Sequence, residues 1–121
     1  MTRRATLLTT VFLTLFSQAA LGKAVYFCEM TQNIDVKKHT LKPWKVERFK
    51  FSVSPEEVAF GTSAPPPFTE KKLAVRIYEK EGQIFNAAGY FNLLNFKDGD
   101  FHYVESHFSE VVLVTAKCDK F

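Results

Sequence analysis

The sequence predicts an all-β domain, a small antiparallel barrel or sandwich of about six to eight short strands with its first and last strands tied by a disulfide. Three observations predict it. Apolar residues alternate with polar ones at period two, turn-forming residues separate the alternating stretches, and the two cysteines, Cys28 and Cys118, bracket the alternating region. No stretch longer than about ten residues keeps a 3.6-residue period with caps at both ends, so no helix is assigned.

Residues 1–22 read as a secretory signal peptide. Arg3 and Arg4 form a positive start, Leu7 to Phe16 is uncharged, and Ala20-Leu21-Gly22 places small residues before Lys23. Threonines, Ser17 and Gln18 make this stretch a poor membrane span, because a span needs roughly 20 apolar residues. No stable membrane anchor is therefore expected. Lipidation would need a cysteine directly after the cleavage site, where Lys23 stands. Thr6 follows the Arg3-Arg4 pair where a twin-arginine signal carries an apolar residue, so the export route stays open. The expected location is periplasmic or secreted.

Cleavage would leave residues 23–121, about 100 residues, the size of a single domain. The whole chain carries +3 with a pI near 8.9. Arg3 and Arg4 would leave with the signal, and the remainder is nearly neutral. The basicity is thus no sign of a nucleic-acid partner. In an oxidising compartment two cysteines have one possible pairing, Cys28 with Cys118. That bridge would close nearly the whole domain, worth roughly 4.6 kcal/mol by loop entropy.

The strands follow in order. "AVYFCEM" (24–30) and "VVLVTAKC" (111–118) are apolar on both faces over part of their length, as covered strands are. Phe49, Phe51 and Val53 alternate with Arg48, Lys50 and Ser52. Ser54-Pro55 ends that strand, and Glu57 to Phe60 makes another that stops at Gly61. Leu73, Val75 and Ile77 alternate with Ala74, Arg76 and Tyr78, which predicts the first three inward. Lys80-Glu81-Gly82 and Asp98-Gly99 are turns, the second a strong hairpin signal. The weak helical candidates are Phe85 to Leu94, interrupted by Gly89, and one turn in "SHFSEVV". Two stretches read as loops: 61–72, with three consecutive prolines, and 38–45. The proline loop is expected to be a stiff connection, or else a projecting recognition loop that carries Phe68.

Catalytic chemistry is poorly supplied. Asp98, Asp100 and His102 have the spacing of one strand face, but Asp98-Gly99 reads more economically as a turn. His102 and His107 would face opposite ways on one strand. There is no G-x-S-x-G, no phosphate-cradling glycine loop and no recognised metal spacing. No enzyme activity, cofactor or metal is expected. A small hydrolase using His102 and Asp100 stands as an alternative.

Charge is the most informative pattern. Lys37, Lys38, Lys42, Lys45, Arg48 and Lys50 fall between positions 37 and 50 against Glu47 alone, and the rest of the domain is acidic. With Trp44 they suit an anionic or protein partner. The candidate binding residues are Lys42, Trp44, Lys45, Arg48 and Lys50. The expected function is an exported binding module for an extracytoplasmic protein or an anionic glycan. The alternative is a barrel that carries an apolar ligand among its aromatic residues, which are 15% of the chain.

Tyr26-Phe27-Cys28, Gly89-Tyr90 and the late Cys118 resemble points in the periplasmic inhibitors of lysozyme, which form small eight-stranded barrels. The likeness covers a handful of residues. Ala87-Ala88-Gly89 stands where that family has a serine-glycine segment. The resemblance implies a barrel with inhibitor-like protein binding.

Overall fold

The computed structural model describes residues 22–61, 64–65 and 67–121. The expected signal peptide, apart from Gly22, lies outside the described residues. Among the described residues, nine strands form one antiparallel sheet. They are β1 (Ala24–Lys37), β2 (Thr40–Pro43), β3 (Arg48–Val53), β4 (Glu57–Phe60), β5 (Lys72–Glu79), β6 (Ile84–Ala88), β7 (Asn92–Lys97), β8 (Asp100–Ser106) and β9 (Glu110–Lys120). Each strand pairs with the next, except that β1 pairs with both β2 and β3. β9 returns to pair with β1 along almost its whole length, which closes an eight-stranded barrel and removes two sheet edges. Cys28 and Cys118 are direct partners across that seam and form the expected disulfide, with Cα atoms 4.0 Å apart.

Strand alternation places the core as expected in β3, where Phe49, Phe51 and Val53 are buried. Two β-bulges overturn the alternation elsewhere. In β5 the register against β6 shifts between Val75 and Ile77. Tyr78 then packs against the core, and Ile77, expected inward, stands 52% exposed. In β1 the register against β9 shifts between Met30 and Gln32. Ala24, Tyr26, Cys28 and Met30 point inward before the shift, and Asn33 and Asp35 after it. An extra residue inverts every later side chain. The bulge at Thr31 therefore turns two polar residues into the barrel and puts Ile34 and Val36 on its outer wall.

The barrel is filled, not hollow. Tyr26, Phe49, Phe51, Phe60, Phe85, Phe96, Phe101 and Tyr103 meet edge-on or stacked in its interior. The proline loop supplies one more ring. Phe68 is 1% exposed, stacked on Phe60 at 4.5 Å and edge-on to Tyr103 at 5.0 Å. It neither projects nor serves as a bare connection, because an aromatic ring gains more by plugging the barrel than by facing water.

Local turns follow their residues. Asp98 and Gly99 both take positive φ, the geometry of a two-residue hairpin turn. At Gly99 a Cβ would meet the Cys118 carbonyl oxygen at 2.8 Å, so only glycine fits. Residues 38–45, expected to be a loop, form a hairpin turn at Lys38-His39 and then β2. The stretch 85–94, the best helical candidate, is the end of β6, a turn and the start of β7. Residues 107–109 are a bend before β9 and hold no helical turn.

Candidate functional site

One mouth of the barrel is polar. Asp35 of β1, Val112 of β9, Glu105 of β8 and Asn92 of β7 are successive register partners and form the outermost inward layer. The next layer down is Asn33, Val114, Tyr103 and Leu94. All eight residues are buried. Above them opens a cleft of about 310 Å³, lined by Asn33, Asp35, Trp44, Pro67, Thr69, Glu105, His107, Glu110 and Val112.

Glu105 is fully engaged. Its Oε1 accepts from the Thr69 hydroxyl at 2.8 Å, the Tyr103 hydroxyl at 2.8 Å and the Asn92 amide at 3.0 Å. Its Oε2 lies 3.0 Å from His107 Nε2. The Asn92 amide also donates to the Tyr103 hydroxyl. Burial, and then the bond to Glu105, holds the Tyr103 hydroxyl well above the usual tyrosine range. The proline loop thus contributes twice, with Phe68 inside the barrel and Thr69 on Glu105.

Asp35 is only half engaged. Its Oδ2 accepts from Trp44 Nε1 at 3.3 Å and lies 4.0 Å from Lys37 Nζ. Its Oδ1 is buried with no hydrogen-bond partner. It alone has that standing among the buried side-chain atoms of the described residues. Lys37 Nζ also reaches Glu110 Oε2 at 3.7 Å.

The expected binding residues divide. Trp44 is on the cleft, 52% exposed, and Lys42 Nζ sits 4.8 Å from the centre of its ring. Lys42 and Asp35 are direct strand partners. Lys45 is exposed and offers its backbone carbonyl to the Asn33 amide at 3.1 Å. Arg48 and Lys50 stand on the outer wall, where Arg48 Nε pairs with Glu29 Oε1 at 3.0 Å. The basic run is therefore two places, not one patch.

Asp100 and His102 are both exposed on the outer wall of β8. Asp100 pairs with Lys117, which holds its carboxyl below the usual range. Asp98 lies in the turn. Among the described residues no group of three or more His, Cys, Asp or Glu is placed to hold a metal ion. The sequence reasoning missed Asn33, Asp35, Asn92, Thr69 and Glu105, and it weighed His107 only as a partner for His102. Glu105 had a signal, since it alternates in step with Phe101 and Tyr103. Asp35 had none, because the bulge hides its parity.

The outer wall around the mouth is apolar. Leu93, Val104, Leu113, Ile34 and Pro43 form one cross-strand row over β7, β8, β9, β1 and β2. Beside it, Ser106, Val111, Val36 and Leu41 form a second, and Phe91 joins it through its carbonyl bond to Ser106. Leu93, Val104 and Leu113 are 36–41% exposed and Leu41 is 68% exposed. The next row, Asn95, His102 and Thr115, is polar. No protein-family model, curated protein or solved structure matches the chain.

Proposed function

We propose that this chain is an exported, non-enzymatic binding module that docks a partner protein on the apolar outer wall at the polar mouth of the barrel. The two adjacent outward rows, apolar except for Ser106, carry this reading. Monomeric proteins seldom leave such a contiguous apolar face to water, and faces of this kind mark interaction sites. Tyr90 and Phe108, both almost fully exposed beside Phe91 and His107, extend it with aromatic anchors.

Of the two expected partner classes, the protein is favoured over the anionic glycan. Arg48 is taken by Glu29, Lys37 lies between Asp35 and Glu110, and the cleft itself is lined by carboxylates. The filled interior weighs against an apolar cargo. The disulfide suits an oxidising compartment, and among the described residues no helix is long and apolar enough to cross a membrane.

A photo-crosslinking residue at Leu113, in the middle of the face, tests the reading in cells. The expected result is a discrete adduct to another protein, absent when the same residue replaces Arg76 on β5. Adducts only between copies of this chain, or equal labelling at both positions, would overturn it.

A further inference from the structure

Asp35 poses a chemical question that the fold leaves open. Its side chain is 7% exposed, yet one carboxylate oxygen has no donor. Leaving a buried acceptor unmade is costly, and more so when it is charged. Glu105 shows that this mouth can satisfy a carboxylate completely. The vacant acceptor is therefore particular to the Asp35 side of the cleft.

The surroundings define what would fill it. The Asn33 amide donates to the Lys45 carbonyl, and His107 Nε2 is turned to Glu105. Val112, Pro67 and the Trp44 indole give the cleft apolar walls, and Glu110 adds a carboxylate at its lip. Its volume sits at the small end of the range for ligand pockets. A guest must therefore have an apolar stem and a donor-rich cationic head. Lysine and arginine side chains are built that way. Two of the chain's own cations already stand near this place. Lys37 Nζ approaches Asp35 Oδ2 without reaching hydrogen-bond distance, and Lys42 Nζ lies over the indole. Neither supplies the donor that Oδ1 lacks.

We infer that the cleft receives the cationic end of a lysine or arginine side chain, with the Asp35 carboxylate, which still lacks a donor, as its acceptor. The inference rests on the proposed docking face, since it is the docked protein that presents this side chain next to the apolar rows.

The chain contains a single tryptophan, and Trp44 touches both the cleft and Asp35. Its fluorescence reports occupancy directly. The probes are agmatine, for the guanidinium head, and 1,5-diaminopentane, for the ammonium head, with 1-pentanol as the uncharged control. The expected result is a saturable change with one or both amines and none with the alcohol. Asp35→Asn should weaken binding by about tenfold. Lys37→Gln, an exposed change that removes the competing cation, should tighten it. Glu29→Gln, on the outer wall, should leave it alone. No saturable response to either amine, undiminished binding in Asp35→Asn, or an equal response to 1-pentanol would overturn the inference. If the amines fail and the Leu113 adduct persists, the cleft assignment falls and the docking face stands. If the amines bind and no Leu113 adduct forms, a free amine is the guest and the partner's side chain is not.

Discussion

The β8 wall and the β1 wall of the cleft each bury one acidic residue, and they treat it in opposite ways. On the β8 wall, Glu105 receives Thr69, Asn92, Tyr103 and His107, as a structural carboxylate must. On the β1 wall, Asp35 receives one indole N–H and keeps a bare oxygen. The turns at the ends of the walls differ in the same sense. Asp98-Gly99, which leads into β8, puts glycine where φ is most positive. Lys38-His39, which follows β1, holds two side-chain-bearing residues at φ 46° and 68°. One wall satisfies its carboxylate, and the other carries one unmet acceptor and a turn with two side-chain-bearing residues at positive φ where the β8 turn has one. A wall that gives up stability is the one expected to bind.

The largest expected effect comes from untying the walls at their shared strand. Cys28→Ser with Cys118→Ser should lower stability in urea by about 4 kcal/mol. Hydrogen exchange should then show β1 loosening before β8. Uniform loosening would erase the distinction between the walls. Next comes Glu105→Leu, which strands the donors of Asn92 and Tyr103 in the interior and should cost about 3 kcal/mol. A loss below 1 kcal/mol would show that the network is ornamental.

Tyr103→Phe removes a hydroxyl that donates to a carboxylate, with an expected cost of about 2 kcal/mol at neutral pH. It also predicts a pH effect. The Tyr103 hydroxyl ionises above its ordinary value of 10.0 in the folded chain. Below that value the tyrosine is protonated in both states and its contribution is fully present. As pH rises past it the unfolded chain ionises first, so stability falls. Alkaline denaturation should therefore be less steep in Tyr103→Phe than in the parent. His39→Gly, in the strained turn of the β1 wall, should raise stability by about 1 kcal/mol. A loss there would mean that the turn is not strained.

The sequence made the barrel legible because alternation, hairpin turns and a bracketing cysteine pair all agree on one closed sheet. Phe49, Phe51, Val53 and the Asp98-Gly99 turn stand where period and turn chemistry place them. The site was much less legible. Parity counting fails after Thr31 and again near Arg76, because a bulge adds a residue that composition does not announce. That failure hid Asp35 and Asn33 and set Ile34 and Val36 on the outer wall. The basic run drew notice through its charge, yet of its residues only Trp44 lines the cleft, with Lys42 over its indole. Phe68 looked like a loop residue because proline marks connections, while its ring was free to fold back into the barrel.

The most direct test of the contrast between the walls is the melting temperature of Asp35→Asn, measured beside Glu105→Gln. If the β1 wall is kept for binding, Asp35→Asn removes a half-satisfied buried charge at little cost. Its melting temperature should equal or exceed the parent's, while Glu105→Gln melts lower. A fall in Asp35→Asn as large as that in Glu105→Gln would contradict the account, because it would make Asp35 a structural carboxylate like its neighbour.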